Sequence, residues 1–161
     1  MPSIYLKGGP VTDFSRRKIE EPISVIFGTP EQGWLPVNIN SSKYKLNIDV
    51  SDVPVNPIEI LCDVLLDVDT KKGEVWWNLE PEAVFFEFEK LAENYQLTIA
   101  SAGSEESPRI VEMIIEGTFQ DVVEPFITAL VLFHSKPYDE KQWPMADIRK
   151  INRLQLLRTR K

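Results

Sequence analysis

The chain has 161 residues, 43% of them apolar and 10% aromatic, and carries a formal net charge of −7. That apolar content excludes a disordered chain, and the length suits one globular domain spanning 1–161 that buries roughly 70% of its unfolded-state surface. A single cysteine excludes an intramolecular disulfide, and the longest uncharged apolar run (125–133) is far below the ~20 residues of a membrane span.

The beginning of the chain has no charged-then-apolar order of a secretory signal, so a cytoplasmic protein without membrane partners is expected. The charge is unevenly placed. Residues 149–161 hold six bases and no acid, which leaves 12 basic against 25 acidic residues elsewhere, a body charge of −13. Such a body repels nucleic acid and attracts cationic partners. The basic tail has two readings: it binds an anion or RNA, or it docks on the acidic body of its own chain, where its charge is neutralised. The second is preferred.

Residues 4–6 form a short apolar start, and 11–22, rich in charge, reads as an exposed connection. Residues 23–28 (ISVIFG) are a buried strand bounded by Pro22 and Gly28. Residues 34–40 and 44–50 alternate apolar and polar around a short turn, which predicts a hairpin with one wet face; Pro36 places its strand at a sheet edge. Asn56-Pro57 is an N-cap followed by proline at the first helical position, and Ile58, Leu61, Cys62, Leu65 and Val68 give a helix over 57–69 one apolar stripe. Cys62 lies in that stripe and reads as a small core hydrophobe.

Four strands are predicted next, at 74–81, 83–91, 96–102 and 109–117, rich in β-branched and aromatic residues and separated by turn residues. Alternation puts Val75, Trp77, Leu79, Val84, Phe86, Phe88, Leu97, Ile99, Val111, Met113 and Ile115 on the inner face. Thr118 and Asp121 have capping-box spacing at the start of a helix over 119–135, kinked by Pro125. A last helix over 145–157 turns Ile148, Ile151 and Leu154 inward, and residues 158–161 are expected to fray. The fold class expected is α+β: a mostly antiparallel sheet of six to eight strands packed against two main helices, with a C-terminal helix.

Motifs of known chemistry are missing. Neither Gly-rich phosphate cradle is present among the seven glycines, and one histidine with one cysteine excludes the usual zinc ligand sets. GxSxG is absent, and His134, in a last helical turn, reads as structural or solvated. Residues 67–78 begin like a calcium loop, but lysine stands at the third ligand position and Asn78 at the twelfth. Ser15-Arg16-Arg17-Lys18 matches SxxK without its companion motifs. No catalytic residue, cofactor or metal is therefore expected.

What stands out instead is the outer face of the central sheet. Glu87 and Glu89 on one strand and Glu112 and Glu116 on another share it with Trp76 and Phe85. Large aromatics beside acids are what recognition of a basic protein would use, although a solvated or covered sheet face has the same pattern. The loop carrying Glu105 and Glu106 is a second acidic surface. Residues 34–37 (WLPV), Asp52-Val53-Pro54 followed by Asn56-Pro57, Trp77 with Leu79-Glu80-Pro81, and Trp143-Pro144 together resemble a poorly characterised bacterial family in the style of small acidic α+β immunity proteins. That resemblance implies a non-enzymatic cytoplasmic inhibitor that binds a cationic toxin domain by charge and shape, and it assigns no site residues. The alternatives are a carboxylate-based hydrolase using a pair such as Glu80 and Glu82, and a nucleic-acid accessory protein acting through residues 149–161.

Overall fold

The computed structural model describes residues 3–6 and 18–161, with residues 3–6 and 18–19 described as backbone only. Most of the stretch expected as an exposed connection, together with the SxxK match, lies outside the described residues. Nine strands and four helices follow in chain order: β1 (Ser3–Leu6), β2 (Lys18–Ile19), β3 (Ser24–Phe27), β4 (Trp34–Asn40), β5 (Tyr44–Ser51), α1 (Pro57–Leu66), β6 (Gly73–Asn78), β7 (Ala83–Leu91), β8 (Asn94–Ala102), β9 (Ile110–Gly117), α2 (Phe119–Val122), α3 (Glu124–Ser135) and α4 (Ile148–Thr159).

The α+β class holds, but the strands divide between two sheets where one was expected. The first has the order β1-β5-β4-β3 and is antiparallel throughout; the second has the order β2-β9-β8-β7-β6, antiparallel except for the short β2–β9 edge. Alternation along a strand specifies which face is buried, not which sheet the strand joins. Apart from β2, which joins the second sheet, the division falls at α1, which carries the chain from β5 to β6.

Pro36 corrects a second expectation. β4 is an interior strand, paired with β5 on one side and β3 on the other. Proline is tolerated because β3 ends opposite Val37: at the next position β4 needs only a carbonyl on that side, which Pro36 supplies, accepting from Gly28 N at 2.9 Å. A Cβ on Gly28 would lie 2.9 Å from the Pro36 Cβ, so this close crossing requires glycine.

Asn56 caps α1 as expected, its Oδ1 accepting from Ile58 N at 3.0 Å. The capping box also forms: Thr118 Oγ1 accepts from Asp121 N, and Asp121 Oδ2 from Thr118 N. Pro125 does more than kink the following helix. The run divides at Val123 into a four-residue α2 and α3, with Pro125 in the first turn of α3, where no backbone donor is required.

One continuous core joins both sheets and the helices. At its centre is an aromatic chain. Phe27 of the first sheet meets Trp77 (6.4 Å between centroids), Trp77 meets Phe86 edge-on (5.3 Å), and Phe126 of α3 stands edge-on to both Phe86 (5.9 Å) and Phe88 (5.1 Å). Cys62 lies within this core, and burial pushes its thiol up to about 12, which suits a packing role.

The last helix starts three residues later than expected, because Asp147 caps it by accepting from Arg149 N at 2.9 Å. It also runs on through Thr159 where fraying was expected. Its end is fastened: Lys161 Nζ donates to Asp69 Oδ2 at 2.6 Å, and Tyr95 Oη donates to Asp69 Oδ1 at 2.6 Å. Burial alone would raise the Asp69 carboxyl. The hydrogen bonds from Lys161 and Tyr95, with the charges of Lys161 and Lys90, outweigh it and hold the group below its ordinary value.

A carboxyl lowered in the folded state stabilises the fold above its unfolded pKa, and that contribution is lost as pH falls through the lowered value. Asp69→Asn is therefore expected to cost about 1–2 kcal/mol near neutral pH. Its urea midpoint should then decline less between about pH 5 and pH 3 than that of the unmodified chain. Parallel pH profiles for the two proteins would contradict this.

Candidate functional site

The outer face of the second sheet, the leading expectation, is largely neutralised by its own chain. Glu74 lies directly opposite Glu87 across the β6–β7 pair, a like-charge pairing that needs counter-ions. Lys72 supplies one, with its Nζ 3.1 Å from Glu87 Oε1 and 4.0 Å from Glu89 Oε2. Arg109 supplies the other through a two-bond clamp on Glu74. Glu116, across Gln96 from Glu89, is also engaged.

The aromatic members of that face are not available in the way expected. The Arg109 guanidinium lies 3.5 Å from the centroid of the Phe85 ring and Phe85 is 2% exposed, while Trp76 is half-buried. Glu112 departs from the arrangement altogether. Ile99 pairs with Met113 but Ala100 pairs with Val111, so Glu112 is the extra residue of a β-bulge. Its Oε1 accepts from Ser101 Oγ at 2.6 Å. The same bulge turns Val111 into the row of Phe85 and Ala100, on the opposite face from that assigned by alternation.

Eight acids without an ion pair to a described base lie at one end of the molecule, where four turns are tied together and a fifth lies alongside. Gln142 accepts from Gly33 N with its carbonyl (2.7 Å) and from Gln32 N with its side chain (2.5 Å), and Gly33 in turn accepts from Asp52 N (3.2 Å). Asn78 Nδ2 donates to the Val53 carbonyl at 2.7 Å, and its Oδ1 accepts from Glu80 N at 2.9 Å. Leu79 N donates to the Glu82 carbonyl, and Ala83 pairs with Ala102, which places the 103–108 loop alongside.

This rim carries Glu31, Asp52, Glu80, Glu82, Glu105, Glu106, Asp139 and Glu140, with two bases in the same turns: Lys141, and Arg109 at the end of the β8–β9 loop, whose charge also acts on Glu105. None of the eight carboxylates makes an ion pair with a described base. Val53 and Val55, both more than half exposed, lie among them. Trp34 stands with Glu31 and Asp49 around a cleft of about 290 Å³. An aromatic face flanked by carboxylates suits a lysine or arginine side chain.

Sequence reasoning found Glu105 and Glu106 and missed Glu31, Asp52, Asp139, Glu140 and Trp34. These sit in turns far apart along the chain, and only the hydrogen bonds between turns bring them together. Glu80 and Glu82, the pair considered for a hydrolase, flank Pro81 in one of those turns, with Glu80 exposed. Gln32 (φ 51°) and Glu80 (φ 50°) hold left-handed backbone that glycine adopts more easily. The described residues contain no group of three or more histidine, cysteine or carboxylate side chains placed to hold a metal, and no helix long and apolar enough to cross a membrane.

The basic tail docks on the acidic body in part: Lys150 on α1 and Lys161 on Asp69, while Arg153 and Arg160 make no ion pair with a described carboxylate. Lys150 Nζ lies 2.9 Å from both Glu59 Oε2 and Asp63 Oδ1, and its hydrogen bonds to the two carboxylates raise the pKa of the ammonium against the opposing effect of burial. Comparison with protein-family models, curated proteins and solved structures yields no match.

Proposed function

We propose that this chain is a non-catalytic protein-binding module that captures a cationic protein on its acidic rim, in the manner of an immunity-type inhibitor neutralising a toxin domain. The observation that carries this reading is the contrast between the two acidic surfaces. Glutamates of the sheet face are matched by Lys72 and Arg109, whereas eight rim carboxylates stand together without an ion pair to a described base, beside exposed Val53, Val55 and Trp34. Eight acids against two bases leave a net negative charge that draws a basic partner by long-range attraction, and apolar side chains between the acids supply contact once it arrives.

The test is retention of a basic protein from the native host on immobilised chain at low salt. The unmodified protein should retain such a partner and release it steeply as salt rises. Charge reversal at Glu80, Glu82, Glu105 and Glu106 to lysine should weaken capture about 100-fold with folding intact, whereas Glu87→Lys should change it little. Absence of any basic partner, or equal capture by the rim variant, would reject the proposal.

A further inference from the structure

The helix opposite the rim carries a second surface of contrary charge. α1 starts beside the rim, at Asn56, and ends at Leu66; α4 packs along it, fixed by Lys150 near the start and by Lys161 on Asp69 beyond the end. On the outward side of α4, Leu156 is 57% exposed. Arg153 and Arg160 lie two turns apart beside Leu156. With Leu157, Leu66 and Asp67 they line a groove of about 280 Å³ between the two helices.

Neither arginine makes an ion pair with a described carboxylate. The groove's one acid, Asp67, is 3.6 Å from Lys71. The remaining bases of α4 are engaged: Arg149 by Asp147, Lys150 by Glu59 and Asp63, and Arg158 through a long contact to Thr128. So α4 offers an arginine–leucine surface at the end of α1 away from the rim, and the rim offers carboxylates with exposed valines and a tryptophan. The two surfaces are complementary in charge and in apolar content, and their separation along α1 keeps them apart within one copy.

We infer that the occupant of the α4 groove is the acidic rim of a second copy, giving a salt-sensitive head-to-tail association in which the rim of each molecule seats on the arginine face of the next. The contact is heterologous, so it extends or closes into a ring and does not stop at a two-fold dimer. It occupies the rim, so a cationic partner and a second copy compete for the same surface. This inference rests on the rim being a binding surface. An anionic nucleic acid would satisfy the arginines too, but it leaves the exposed Leu156 without a partner, which is why a protein rim is favoured.

Sedimentation equilibrium of the full chain over about 5–500 µM tests it, at low salt and at salt high enough to shorten the Debye length below about 5 Å. Mass should rise with concentration at low salt and return to that of a monomer at high salt. Arg153→Glu/Arg160→Glu, which keeps the rim, and the four-site rim variant, which keeps the groove, should each remain monomeric alone. Mixed, they should associate again, because each retains one half of the contact.

A monomeric unmodified chain at every concentration, association that survives Arg153→Glu/Arg160→Glu, or a mixture that stays monomeric would overturn the inference. So would a monomer that binds a short single-stranded RNA through the same arginines. Capture of a basic protein by the unmodified chain separates the two ideas. Capture by an unmodified chain that shows no self-association rejects the groove and leaves the rim standing, whereas failure of the unmodified chain to capture rejects the rim.

Discussion

Phe126→Ala is expected to be the most damaging single substitution in the core, costing about 3–5 kcal/mol. Phe126 is fully buried and stands edge-on to Phe86 and Phe88, so truncation removes two aromatic contacts and opens a cavity between α3 and the second sheet. The surroundings have little freedom to close it. Phe86 also meets Trp77, and α3 is held at its start by the break at Val123. For a domain of this size the loss corresponds to a fall in melting temperature of about 10 °C or more, measurable by calorimetry. Phe126→Leu, which keeps most of the volume, should recover about half of the loss. A shift of only a degree or two for the alanine variant would mean that α3 contributes little to the shared core.

Lys150→Glu is expected to cost about 2–4 kcal/mol, because it exchanges the base between Glu59 and Asp63 for a third acid. Glu59 also accepts from Asp147 N, the residue that caps α4, so the same carboxylate fixes both the start of α4 and its side-chain clamp. Lys150→Met keeps the aliphatic stem in place and removes the charge, and should cost only about 1 kcal/mol. Chemical denaturation of the two variants separates packing from charge. Equal losses would assign the contact to packing alone, and added salt should partly rescue the glutamate variant only.

Much of the local structure was legible from residue order. Asn56-Pro57 marked the start of α1, alternation assigned the buried face of β6, β7 and β8, and Thr118 with Asp121 marked the second helical region. Reading failed wherever the answer depended on a neighbour distant in sequence. Pro36 was assigned to an edge because nothing in its own strand reveals that β3 stops one residue short of it. Glu112 and Val111 changed places because a bulge is a property of a pair of strands, and β9 alone alternates without interruption. Fraying was expected at 158–161 because the anchor for Lys161, Asp69, lies 92 residues earlier.

The candidate site was half legible for the same reason. Acid–aromatic composition singled out the sheet face, but the bases that neutralise it, Lys72 and Arg109, lie outside the strands that carry Glu87, Glu89 and Glu116. The rim has no sequence signature of its own: it is assembled from turns that individually look like ordinary polar connections. Glu105 and Glu106 were the part of it that two adjacent acids made visible.

The ties that link Gln142 to Gly33, Gly33 to Asp52 and Asn78 to Val53 bear on how such a surface would meet a visitor. Turns knotted to one another by main-chain contacts have already lost their freedom before any encounter, so docking demands little further ordering. A rigid landing site of this kind favours fast, fit-and-hold recognition over a loop that must fold around its target, and it makes selectivity a matter of where each carboxylate is held.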